Sequence, residues 1–281
     1  MNRRALATSE AIAATAFLVL DWHVLQKLVR DWSHDENYSH GFLIVPLALY
    51  FAWERREALA AAPLKPHGFG LVLIVGSLAT LVAGTLGAEL FLMRMSMIGT
   101  LTGIVLFAFG TEHLRILRFP IAFLLLMIPL PAIVFNQIAF PLQLLASRFG
   151  ETALQVMNIP VLREGNVIIL ANTRLEVAEA CSGIRSLISL LTLGIVLGYF
   201  TDSRWTMRSL IALSTVPVAI LANGLRVAGT GIAAHYVGPD AATGFLHTFS
   251  GWLMFVLASS LLFAIQRGTA WVFPPRAETI G

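Results

Sequence analysis

Charged side chains are scarce in this chain. They make up 12% of its 281 residues, against about a quarter in soluble domains. With 57% hydrophobic residues and a mean hydropathy of +0.78, that scarcity excludes an ordinary soluble domain and places the chain in the membrane class. Cysteine is nearly absent too: Cys181 stands alone in the sequence, so no intramolecular disulfide can form. Basic runs and basic patches interleaved with aromatics are missing, and 19 basic against 16 acidic residues leave a net charge of only +3. Nucleic acid is therefore not an expected partner. A Gly-x-Ser-x-Gly nucleophile elbow is absent, as is a glycine-rich phosphate loop between a strand and a helix. No metal-ligand spacing accompanies the cysteine, so neither a metal nor a cofactor is expected. No repeat or polar linker divides the chain, which reads as one integral-membrane domain, 1–281.

Long apolar runs are what the chain does have. A helix needs about 20 mainly apolar residues to cross the bilayer core, and eight stretches qualify: 7–26, 39–53, 68–87, 91–110, 116–136, 183–200, 208–234 and 248–266. The expected fold class is thus an all-α polytopic membrane protein of about eight transmembrane helices. Asp21, Trp22 and His23 follow the first apolar run where a cleavable signal peptide would show small residues, so that helix is expected to be retained. The chain ends at Gly281, soon after the last span.

Basic residues orient the helices. With the N-terminus inside, the inner segments hold Arg3, Arg4, Arg55, Arg56, Lys65, Arg115, Arg118, Arg204, Arg208, Arg267 and Arg276. The outer segments hold Lys27, Arg30, Arg148, Arg163 and Arg174. Eleven against five puts both termini inside and predicts an even number of spans. The longest outer segment, 137–182, has apolar residues at helical spacing over Pro141–Met157, which suits an interfacial helix. The β-prone residues Val167, Ile168 and Ile169 and a turn at Ala171-Asn172-Thr173 predict a small hairpin, 166–170 with 174–178, that delivers the chain to Cys181.

Three polar groups then fall at one membrane level. Cys181 stands in Glu-Ala-Cys-Ser-Gly-Ile-Arg at the outer start of the sixth span. Most free cysteines are small buried hydrophobes, but polar flanks, a helix N-terminus and Arg185 one turn on favour a thiolate here. Arg226 lies within the seventh span, 18 residues beyond Arg208. At ~1.5 Å per residue it reaches the outer leaflet, either as a functional intramembrane charge or as a snorkelling arginine. His247 opens the eighth span at the same level. Cysteine and histidine within reach make a nucleophile–base pair, and arginine can hold an oxyanion.

Two other classes compete with an enzyme. A transporter or channel would use Arg226 and Arg94 as anion sites and move its glycine-rich helices, although no paired half-repeats are visible. A non-catalytic scaffold for polysaccharide export would leave Cys181 without a role.

Six stretches, in order along nearly the whole chain, resemble the exosortase family, specifically the exosortase A type of Gram-negative bacteria. They are Tyr38-Ser-His-Gly-Phe-Leu-Ile44, Phe119-Pro120 with Ile128-Pro-Leu-Pro131, Arg163-Glu-Gly-Asn166, Glu176 through Leu187, Ala222 through Gly231, and His247 with Gly251-Trp252. The resemblance implies a cysteine transpeptidase of the bacterial inner membrane with its active site at the periplasmic face. It implies substrates that are membrane-anchored proteins with a C-terminal PEP-CTERM signal, made of a Pro-Glu-Pro motif, an apolar helix and a basic cluster. It also implies that Cys181, Arg226 and His247 are catalytic, with Arg226 on the oxyanion or on the motif's glutamate. The acceptor nucleophile stays open between a lipid, a glycan and water. Arg185, Glu179, Asn223 and His40 are supporting candidates. The fused C-terminal domain of some relatives is not expected here.

Overall fold

A computed structural model describes residues 13–171, 173–177, 183–238 and 244–274, with backbone only for 244–248. The chain packs as two compact units, Met1–Pro131 and Ala132–Gly281.

The first unit is helical. Helix α1 (13–20) runs to a turn at Asp21, and α2 (Trp22–His34) follows. Next come α3 (Gly41–Glu54), the short α4 (Arg56–Ala61), α5 (Phe69–Leu86), α6 (Leu90–Ala108) and α7 (Thr111–Phe123), which tightens into a 3-10 turn at Leu124–Met127. Helices α5 and α6 pack through small residues. A methyl on Gly103 would fall 2.8 Å from Ile74 Cγ1, and one on Gly70 would strike the backbone of Phe107. Without a hydrophobic drive between helices in lipid, close backbone approach is what such small residues supply. Phe51, Phe119 and Phe123 stack edge and face between α3 and α7, their centroids 5.1–6.1 Å apart.

Ile128-Pro-Leu-Pro131 ends the first unit. A proline cannot donate to the helix and disfavours helical backbone in the residue before it. The expected single span 116–136 is therefore corrected: helix stops at Met127 and restarts at Ala132. Two carbonyls at this break find partners far away in the sequence. Trp32 Nε1 donates to Met127 O at 2.9 Å, and His40 Nε2 lies 3.1 Å from Leu126 O.

In the second unit α8 spans Ala132–Val156 with Pro141 inside it. The interfacial helix expected to start at Pro141 is thus the second half of a longer helix. Three antiparallel strands follow, β1 (Val161–Glu164), β2 (Val167–Leu170) and β3 (Arg174–Glu176). Strands β2 and β3 pair where the hairpin was expected, and β1 adds a partner that the sequence reading left out. Ile168 and Leu170 of β2 bury themselves against Ala146 and Leu154 of α8. Helices α9 (Ile184–Thr201), α10 (Trp205–Tyr236) and α11 (Gly244–Val272) complete the unit. Another glycine seam joins α8 to α10: methyls on Gly150, Gly224 and Gly231 would meet Val227, Phe149 and Leu154 at 2.8, 2.7 and 3.0 Å.

Among the described residues five helices are long and apolar enough to cross a membrane, or six if the broken pair around 128–131 counts as one. The expectation of eight differs at three places. The first stretch lies partly outside the described residues, α3 has only 14 residues, and the fifth stretch is the broken one.

Candidate active site

One turn of α10 organises the polar residues of the second unit. Asn223 is 6% exposed and packs on the backbone of Gly183, where an added Cβ would fall 2.7 Å from Asn223 Cγ. Gly183 has φ +80°, a left-handed conformation that glycine adopts freely and a branched residue does not. It sits immediately before α9, and its carbonyl accepts from Leu187 N at 2.8 Å. Three residues after Asn223, the half-buried Arg226 meets a second helix. A methyl on Gly251 of α11 would lie 3.4 Å from Arg226 Cζ and Nη2. The turn 223–226 thus touches both the residue that starts α9 and α11.

Position 247 lies four residues before Gly251, one turn of α11 earlier and on the same side of the helix. Arg185 occupies the first turn of α9 and is half-buried. Cys181 and Glu179 lie outside the described residues, as does the side chain of His247. Leu142 and Ala146 of α8, Ala219, Ile220 and Asn223 of α10, and Gly183 with Leu187 line a small, partly open hollow of about 10 Å³, room for about one water.

The sheet is tied together just before this place. Gly165 (φ +64°) opens the two-residue loop between β1 and β2, the position where a hairpin of this length needs φ > 0. Arg163 Nη1 donates to Gly165 O at 2.7 Å, and its Nε donates to Glu151 of α8 at 2.8 Å. Asn166 Nδ2 donates to Val177 O at 3.2 Å, and Val177 N donates to Asn166 O at 2.9 Å. Arg163-Glu-Gly-Asn166 therefore fastens Val177, four residues before Cys181. The sequence offered no separate signal for that role, because the hydrogen bonds of Asn166 reach 11 residues along the chain.

The remaining candidates lie in the first unit. His40 occupies the N-cap position of α3 without a side-chain capping bond and is 9% exposed. Arg94, 3% exposed, is ion-paired with Asp31 of α2, a partner the sequence reading did not see. An anion site on Arg94 would first have to displace that carboxylate.

A family model described as transmembrane exosortase matches residues 32–264. No curated protein and no solved structure shows a significant match to the chain.

Proposed function

Since the chain belongs to the transmembrane exosortase family, we propose that it is an inner-membrane cysteine transpeptidase that removes the C-terminal PEP-CTERM signal of exported proteins. Cys181 is its nucleophile, Arg226 its anion-binding group and His247 its acid–base group. Both termini face the cytoplasm, and the site faces the periplasm within a single membrane domain.

One observation carries this reading: the turn Asn223–Arg226 contacts Gly183 and Gly251 together. Cys181 is two residues from Gly183, a tether of ~7 Å at most. His247 is one helical turn from Gly251, ~6 Å along the axis. These short tethers, together with the packing of Arg226 on Gly251, support a common neighbourhood for the three groups. The start of α9, Arg185 and Arg226 put positive potential there, which favours a thiolate.

In the reaction the Cys181 thiolate attacks the scissile carbonyl carbon. Arg226 holds the negative charge that gathers on the carbonyl oxygen, or the glutamate of the substrate motif. The C–N bond breaks, the amine leaves with a proton from His247, and a thioester remains on Sγ. An acceptor nucleophile, deprotonated by His247, then attacks the thioester and releases the thiolate. A lipid amine or a glycan as acceptor gives transfer, and water gives hydrolysis. Glu179 and Asn223 would orient groups around this centre.

The test is co-expression with a tagged PEP-CTERM substrate, followed by immunoblot and intact mass spectrometry. Loss of the substrate's C-terminal helix that requires Cys181 is expected, and the mass left on the new C-terminus identifies the acceptor class. Equal processing by wild type and Cys181→Ala would falsify the nucleophile assignment.

A further inference from the structure

The sheet beside the candidate site ends on a strand with one open side. Its order is β1-β2-β3, so among the described residues no strand lies beyond β3. Hydrogen bonds fix which residues use which side. Leu170 N donates to Thr173 O at 2.8 Å and Val177 N to Asn166 O at 2.9 Å, and Leu175 stands opposite Ile168. Backbone groups turn to alternate sides along a strand. Thr173, Leu175 and Val177 therefore turn theirs to β2, while Arg174 and Glu176 turn theirs outward. Both of these residues are exposed. Such an edge is a template for another extended chain.

We propose that the substrate segment holding the Pro-Glu-Pro motif binds as a fourth strand on the outer edge of β3. This rests on the substrate class assigned under the proposed function, and adds where and in what conformation the motif is held. Two features favour this occupant. Cys181 is four residues after Val177, ~14 Å away at most, so a chain lying on this edge is delivered toward the nucleophile. Prolines two apart also suit an edge. They turn the same way, so both missing N–H groups face solvent, where a strand tolerates proline. The glutamate between them then turns its N–H and C=O to β3.

Strand β3 leads on to α9, and the motif leads into the substrate's apolar helix, so the two strands run parallel. In a parallel ladder the substrate glutamate lies opposite Leu175. Its N–H donates to Arg174 O, and its C=O accepts from Glu176 N.

Binding is read on the full chain in detergent, carrying Cys181→Ala so that nothing is turned over, with a fluorescent synthetic signal peptide. Glu176→Pro removes the outward N–H and leaves the bonds to β2 in place. It should raise Kd about tenfold, the scale of one hydrogen bond. Val161→Pro is the control. Val161 lies opposite Leu170, which bonds to Thr173, so its N–H faces outward on the far edge, and Kd should stay within twofold. A peptide whose glutamate N–H is replaced by an ester oxygen leaves the protein untouched and should also bind about tenfold more weakly. An unchanged Kd for Glu176→Pro, an equal loss for Val161→Pro, full affinity of the ester peptide, or no binding of the parent peptide would each overturn the proposal. Edge binding with this pattern, by a peptide that the chain with Cys181 leaves whole, would uphold the edge and refute the chemistry assigned to Cys181.

Discussion

Two arginines that look alike in a hydropathy plot have different occupations. Arg94 is 3% exposed and closes on Asp31, while Arg226 lies along Gly251 beside the proposed centre. Removing one partner of a buried pair costs roughly 3–5 kcal/mol, because the other charge is stranded. Asp31 is a third exposed, so Arg94→Leu should cost about 3 kcal/mol, at the low end of that range. Asp31→Leu combined with Arg94→Leu should cost less than the sum of the singles, as coupled neighbours do; thermal unfolding in detergent measures both. Arg226→Lys keeps the charge but loses the planar fork. On the proposed reading it should slow substrate processing by about 100-fold, the scale of losing an oxyanion donor, with an unfolding temperature near that of wild type. Sequence alone could mark both arginines as expensive. It could not tell them apart, since the partner of Arg94 lies 63 residues away.

At the scale of elements, the break at 128–131 shows what a hydropathy window misses. The window averages across Pro129 and Pro131, so 116–136 reads as one span, yet the backbone cannot continue through them. What makes the break tolerable is two donors from distant residues, Trp32 and His40, which no local pattern reveals. Trp32→Phe should leave Met127 O buried without its donor and destabilise the fold by ~1–3 kcal/mol, measurable as a lowered unfolding midpoint. The hairpin of β2 and β3 was legible from β-branched residues around a turn. Strand β1, Val161-Leu-Arg-Glu164, was not, because two charged residues in four hide its alternation. Asn166→Ala should free Val177 O, and hydrogen exchange at the Val177 amide should quicken about tenfold if the paired contact is worth about 1.4 kcal/mol.

For the whole molecule, composition announces the membrane, and the motifs between residues 38 and 252 announce the family. The number of crossings was less legible, because α3 falls short of a span by length and the broken pair exceeds one by shape. The connection between α9 and α10 offers a physical handle. Asp202 accepts from Arg204 Nη2 at 2.7 Å, which holds its carboxyl below the ordinary aspartate value. Arg204 Nη2 also donates to Phe273 O, joining that connection to the end of α11. A carboxyl whose folded pKa is depressed contributes stability above its unfolded value, near 3.9, and loses it as pH falls through the folded value. Asp202→Asn should therefore lower the unfolding temperature at pH 7, with the gap from wild type closing below about pH 4. Reporter fusions at the C-terminus should be active in cytoplasmic form only, and fusions near residue 165 in periplasmic form only. The opposite pattern would reverse the proposed orientation.

The contact between Gly183 and Asn223 also has a genetic consequence. A methyl on Gly183 would collide with a side chain, at 2.7–3.0 Å from three atoms of Asn223, and would also strain a left-handed backbone. The steric part of that damage is repairable by trimming the obstacle, and the conformational part is not. Second-site revertants selected from a Gly183→Ala parent should therefore cluster at codon 223, favour smaller residues there and regain only part of the lost fitness. The same selection begun from Gly165→Ala, where an added methyl meets nothing within 4 Å, should yield no allele at 223.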